Sequence, residues 1–190
     1  GLASVSWTLG TRSDSGVNTY TLRAQNNDLL GTPKTIDFTA TGTQQVGYQL
    51  AYVAGDTQNG TVNTAVAIPP EVRVIDTYGN YVTGYTVSFA VTLGGGARTP
   101  TEIASSSTGY ASTAWTLGTV KGTSNNKIKA QNAALPGPTK EYEITASAAQ
   151  GAADHLHLIA GDAQTATVAT AVTTAPQVRL YDAYENAVTG

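Results

Sequence analysis

The sequence repeats itself at a fixed distance, and this constrains the fold more than any single motif does. Leu50 to Gly84 aligns with Leu156 to Gly190 at a constant offset of 106 residues (156 minus 50). Ala54-Gly55-Asp56 returns as Ala160-Gly161-Asp162, Gln58 as Gln164, Thr64-Ala65-Val66 as Thr170-Ala171-Val172, and Asp76, Tyr78 and Asn80 as Asp182, Tyr184 and Asn186. The start repeats too. Trp7-Thr8-Leu9-Gly10-Thr11 recurs as Trp115-Thr116-Leu117-Gly118-Thr119 at an offset of 108, whereas Ala24-Gln25-Asn26 recurs as Ala130-Gln131-Asn132 at 106. The two-residue slip falls on a hairpin loop over Arg12 to Gly16, and length change confined to a turn is what a fixed scaffold with variable connections produces. Self-similarity at a constant period marks an array of like units. The expected organisation is the back part of one repeat over residues 1–46, a whole repeat over 47–150 and the front part of another over 151–190.

Within the whole repeat, apolar and polar residues alternate over short runs bounded by Gly, Pro and Asn, which is strand punctuation. Val72, Val74, Val87, Phe89, Val91, Trp115, Ile128 and Ile144 fall on one side of such runs and form the expected core, with Trp115 as its anchor. No run shows the helical spacing of apolar residues. The expected class is all-β, with two sheets packing their apolar faces together. Cysteine is absent, so no disulfide holds the sheets. Methionine is absent as well, and the first residue is Gly1, which reads as an excerpt or a processed chain. Charged residues make up 12% and the net charge is -3, which offers no basic patch for nucleic acid. No apolar run approaches the roughly 20 residues of a membrane span.

The run from Val72 to Asn80, the segment Gly84-Tyr85-Thr86-Val87-Ser88-Phe89, Gly94-Gly95-Gly96, Gly109-Tyr110-Ala111 ahead of Trp115, and the closing Ile144-Thr145-Ala146 resemble bacterial immunoglobulin-like domains of group 1, the invasin and intimin type. The resemblance covers the whole repeat and both flanking pieces. It implies tandem immunoglobulin-like β-sandwich domains of about seven strands each, without a disulfide, strung as rods on bacterial surfaces or in secreted proteins. It implies no catalytic residues. One position departs: Glu185 stands where the whole repeat has Gly79 in the Asp-x-Tyr-Gly-Asn turn. If that position needs a positive φ, Glu185 is strained or the turn differs.

Asp56, Asp76 and Asn80 and their copies Asp162, Asp182 and Asn186 lie in turns near repeat ends, where oxygen ligands gather a calcium ion. The same residue types also cap β-turns through side-chain to backbone hydrogen bonds, and that reading is preferred. His155 and His157 stand two apart on an expected strand, on one face, as a metal pair requires, but they replace Gln49 and Ala51 and read as a solvent-facing pair. No metal or cofactor is assigned beyond the calcium alternative. Gly94-Gly95-Gly96 lacks the Lys-Ser/Thr and helix of a phosphate loop and reads as a flexible turn. Asn59-Gly60-Thr61 reads as a turn, and Lys129, Glu141 and Glu143 as outward residues. Tyr48, Tyr52, Tyr81 and Tyr85 form the one candidate contact surface.

The expected function is structural: a repeat of a bacterial cell-surface or extracellular protein, building a rod, stalk or filament that displays an adhesive tip. Its partners are neighbouring repeats of the same chain or other copies, head to tail. A glycan- or host-protein-binding module and an accessory domain of a large secreted enzyme are the alternatives. The whole repeat contains no histidine, so a Ser/His/acid set has no place in it.

Overall fold

A computed structural model describes residues 1–12 and 17–189. The chain is all-β: among the described residues there is no helix, hence none long and apolar enough to cross a membrane. The strands run β1 (Val17–Gln25), β2 (Thr35–Thr43), β3 (Gln49–Ala54), β4 (Gln58–Thr61), β5 (Glu71–Ile75), β6 (Thr86–Leu93), β7 (Ala97–Thr99), β8 (Glu102–Ala104), β9 (Tyr110–Ser112), β10 (Ala114–Thr116), β11 (Gly122–Gln131), β12 (Glu141–Ala149), β13 (Ala153–Ala160) and β14 (Gln177–Asp182).

Two sheets enclose the core of residues 47–150. One has the order β3-β5-β9, and the other β4-β12-β11-β6-β8, with β7 paired to β10 at the side. All pairs are antiparallel except β4 with β12, which run parallel from Ala146↔Gln58 to Ala149↔Thr61. In place of about seven strands, this segment has ten, β3 to β12. The difference lies in short pieces. β9 and β10 are one extended run divided at Thr113, whose N–H turns to Pro70 O, while β7 and β8 flank Pro100.

Leu50, Val72 and Val74 from the first sheet meet Val87, Phe89, Ile128, Ile144 and Trp115 in one buried cluster. Val91 is partly buried and packs against it. Leu117 and Leu135 are also fully buried. Leu135 lies in the β11–β12 connection, where no alternation announces it. The indole Nε1 of Trp115 is buried without a hydrogen-bond partner, so its burial rests on the apolar bulk of the ring.

Local chemistry explains two departures from the sequence reading. Gly94, Gly95 and Gly96 all have positive φ, and a Cβ at Gly94 or Gly96 would stand 2.3 Å from Asn125 O or 2.2 Å from Thr116 O. The corner is packed tightly rather than left as a flexible turn. Asn59-Gly60 is not a turn but part of β4, because Gly60 lies against Leu117 Cδ1, where a Cβ would come within 2.8 Å.

The flanking pieces reproduce parts of this body strand for strand. The β1–β2 hairpin pairs Leu22↔Phe38 and Arg23↔Asp37, the register of Ile128↔Ile144 and Lys129↔Glu143 in β11–β12. The β13–β14 ladder pairs Leu156↔Leu180, His157↔Arg179 and Leu158↔Val178, the register of Leu50↔Val74, Ala51↔Arg73 and Tyr52↔Val72 in β3–β5. Even the irregularity before Ala54↔Glu71 recurs before Ala160↔Gln177. The loop where the repeat changes length, Arg12 to Gly16, falls for the most part outside the described residues.

Candidate functional site: the segment joints and a histidine cluster

The turn after β5 is built by one carboxylate. Asp76 Oδ1 accepts from the N–H groups of Tyr78 (2.8 Å) and Asn80 (2.9 Å), which closes the five-residue turn Asp76–Asn80. Its Oδ2 accepts from Asn80 Nδ2 (2.9 Å) and from the N–H of Gln45 in the chain entering β3 (3.1 Å). Asn80 Nδ2 also donates to Thr11 O in the first segment, at 2.8 Å. One turn therefore binds itself, its own entry strand and the segment before it.

The turn after β14 repeats each of these bonds. Asp182 Oδ1 accepts from Tyr184 and Asn186 N–H, both at 2.9 Å, and Oδ2 accepts from Gly151 N–H at 2.7 Å. Asn186 Nδ2 donates to Thr119 O at 2.8 Å. Gly151 lies 106 residues after Gln45, and Thr119 lies 108 after Thr11, so both acceptors and donors follow the sequence repeat, including its slip. The second joint also includes Lys121 N–H donating to Asn186 Oδ1 at 2.9 Å, Lys121 Nζ reaching Ala187 O, and Asn63 Nδ2 meeting the Tyr184 hydroxyl.

Burial alone would raise the Asp182 carboxyl. Four hydrogen bonds, from Gly151 and Asn186 N–H, the Asn186 amide and Tyr184 N–H, outweigh it and hold the group down to about 2. Asp76 is likewise below the ordinary carboxylate value, with desolvation opposed by its bonds to Asn80, Gln45 and Tyr78.

The six oxygen residues considered for calcium are not brought together. Gln49 pairs with Ile75 and Ala54 with Glu71, so Asp76 and Asp56 leave opposite ends of the β3–β5 ladder, about 16 Å apart at about 3.3 Å per residue. Asp56 instead accepts from Thr145 N–H (2.7 Å), Thr145 Oγ1 (2.9 Å) and Thr57 N–H (2.9 Å), tying the β3 end to β12. Asp162 accepts from Ala163 N–H at 2.8 Å. Asp76, Asp182 and Asn186 use their side-chain oxygen atoms, and Asn80 its Nδ2, on the turns and joints.

The tyrosine surface is largely committed to internal contacts. Tyr81 stacks on the Arg73 guanidinium, which Tyr110 covers from its other side, each ring centroid 3.7 Å from Cζ. The Tyr85 hydroxyl accepts from Gly47 N–H at 2.9 Å and that of Tyr52 from Asp56 N–H at 3.1 Å. Lys127 and Lys129 pair with Glu143 (2.6 Å) and Glu141 (3.0 Å) across the outer face of β11–β12.

The histidines do not simply face solvent. His155 Nε2 stands 3.2 Å from His157 Nε2 and 3.2 Å from Glu185 Oε1, and His157 Nε2 stands 3.4 Å from Glu185 Oε2. His155 Nδ1 is 3.0 Å from Asp154 Oδ2. The Tyr181 ring packs against both imidazoles, with centroids 6.1 Å and 4.4 Å away. Sequence reasoning treated the histidine pair and the Gly79-to-Glu185 change as separate oddities. The β13–β14 register joins them, because it sets the turn after β14 beside the start of β13. No family model matches the chain, and no curated protein or solved structure matches it either.

Proposed function

We propose that this chain is a structural part of a tandem array of immunoglobulin-like β-sandwich repeats, exposed on a bacterial surface or secreted, and that it serves as rod, stalk or filament rather than as an enzyme. The observation that carries this reading is the pair of joints. Two successive Asp-x-Tyr-x-Asn turns make equivalent hydrogen bonds to the chain entering their own segment and to the segment before. A turn that caps itself and holds its neighbour transmits direction along a chain, which is what a spacer requires.

The strand order supports the sandwich type. The sheets β3-β5-β9 and β6-β11-β12 divide the strands as the two sheets of an immunoglobulin-like fold do. The leading edge is shared, β3 lying in one sheet and β4 parallel to β12 in the other. The partners we propose are neighbouring repeats, of the same chain or of another copy. Leu156, Leu158, Val178 and Leu180 are exposed, and a sandwich half of this kind is covered by the rest of its own repeat.

Small-angle scattering tests the rod. The expected profile has a linear cross-section region of one-sandwich width, and Asp182→Asn with Asn186→Ala, which unties the second joint, shortens the maximum dimension and broadens its distribution. A compact globular profile for the unmutated chain would sink the proposal.

A further inference from the structure

We propose that His155, His157 and Glu185 form a binding site for a divalent first-row transition ion, with zinc as the best fit. Four independent features converge on it.

The first is geometry. Ligand atoms about 2.0–2.1 Å from a tetrahedral zinc ion stand about 3.3–3.4 Å from one another. The two nitrogens stand 3.2 Å apart, close to one such edge, and each has a different Glu185 oxygen beside it, at 3.2 and 3.4 Å, so three side chains gather four donor atoms at one place. The Glu185 carboxylate straddles the pair with one oxygen toward each imidazole.

The second is the support behind one imidazole. Asp154 Oδ2 stands 3.0 Å from His155 Nδ1, placed to accept the Nδ1–H of the tautomer whose Nε2 is the acceptor. Nε2 lies on the side of His157 Nε2 and the Glu185 carboxylate. The carboxylate behind the imidazole is also the usual support of a metal-bound histidine. Two carboxylates, Asp154 and Glu185, balance a double positive charge.

The third is the donor set. Two imidazoles and one carboxylate suit zinc and its neighbours in the first row, whereas calcium takes six to eight oxygen ligands. The fourth position opens to solvent, since the side chains of His155, His157 and Glu185 are 31%, 45% and 62% exposed.

The fourth is the repeat itself. The equivalent residues of the middle segment are Gln49, Ala51 and Gly79, so all three ligands are particular to the last copy. Glu185 occupies φ +65°, where the middle copy has Gly79 at +82°. A side chain held in the left-handed region is a reason to look for function.

An ion there would tie β13 to the turn whose Asp182 and Asn186 make the second joint. That stiffening rests on the array reading above, and the site does not. The test is titration of the chelator-treated 190-residue chain with zinc chloride by calorimetry, and with cobalt(II) by visible absorption. The expected result is one ion per chain with the intense bands of four-coordinate cobalt. His155→Ala, His157→Ala and Glu185→Gln should each weaken zinc at least tenfold, and Asp154→Asn by about 10- to 100-fold. No binding at millimolar zinc, or binding unchanged in the His155→Ala/His157→Ala double variant, overturns the site. Binding that leaves the hydrogen exchange of Gly151 unaltered overturns the stiffening and keeps the site.

Discussion

The β3–β5 and β13–β14 ladders are the same structure with two different fates. All five pairs of β3–β5 recur in β13–β14, which adds Ala153↔Asp182, and each ladder ends in an aspartate-capped turn that holds a joint. Yet Leu50 is 1% exposed and its copy Leu156 is 59% exposed. Register and turn chemistry are thus the same in both ladders, while burial differs because it comes from the second sheet. On the outer face the relation reverses. The middle copy presents Gln49 and Ala51, whereas the last copy presents a converged cluster of His155, His157 and Glu185.

The widest gap between the two copies is expected in their cores. Trp115→Ala should cost about 3–5 kcal/mol and Leu50→Ala about 2–5 kcal/mol, through lost burial and the cavity left behind. Leu156→Ala, the same substitution one period later, should stay within about 0.5 kcal/mol in this 190-residue chain. Urea melts followed by Trp115 fluorescence in a Trp7→Phe background check the Leu50 and Leu156 pair, and far-ultraviolet circular dichroism checks Trp115→Ala. Equal losses for the two leucines would mean that the last segment buries Leu156 in solution.

Much of this architecture was legible because period-two alternation survives wherever one strand face is buried. Val72, Val74, Val87, Phe89, Ile128 and Ile144 announce themselves that way, and all are buried. Leu135 and Gly60 do not, since their roles come from a loop folding over the core and from close approach to Leu117. The joints were half legible. The Asp and Asn residues stood out as turn caps, but Gln45, Gly151, Thr11 and Thr119 contribute backbone groups, which carry no side-chain signature. The cluster was visible only as three scattered departures from the repeat. Glu185 lies 28 residues beyond His157 (185 minus 157), and only the ladder register closes that distance.

Transplanting the outer face sharpens the comparison next. If register alone brings the ligands together, Gln49→His/Ala51→His/Gly79→Glu should give the middle copy a zinc site of its own, raising the stoichiometry from one ion to two. Zinc at about 100 times its Kd stabilises a site-bearing unit by about 2.7 kcal/mol, readable as a melting shift. A stoichiometry that stays at one would assign a necessary part to Asp154 and Tyr181, whose counterparts in the middle copy, Tyr48 and Ile75, cannot play it.

Acid should separate the joints by their carboxylates. The folded Asp182 carboxyl is lowered from 3.8 to about 2, so the unfolded or untied state binds its proton first. Its contribution is fully present above about pH 4 and is lost as the pH falls through about 2. Protection of Gly151 and Asn186 against hydrogen exchange, taken relative to the intrinsic rate at each pH, should therefore fall over that window, and Asp182→Asn should show low protection at Gly151 at every pH. Gln45 should follow the same direction through Asp76, whose carboxyl is also lowered. A Gly151 protection factor that is flat between pH 5 and pH 1.5 would remove Asp182 from the joint.

The smallest effect is the most direct on why the copies differ. A side chain other than glycine pays about 1–2 kcal/mol in the left-handed region, and glycine gives back about 0.5–1 kcal/mol through its greater freedom when unfolded. Nothing lies within 4 Å of the Cβ position at Gly79, so the equivalent turn accepts a side chain without a clash and the cost is conformational alone. Glu185→Gly in zinc-free buffer should thus raise stability by about 0.5–1 kcal/mol, while Gly79→Glu without the histidines should lower it by a similar amount. With zinc present the first substitution should change sign, because the ion is lost along with the strain. Melting curves of both variants, with and without zinc, read all four values, and a Glu185→Gly variant that is destabilised even without zinc would show that Glu185 serves the fold rather than an ion.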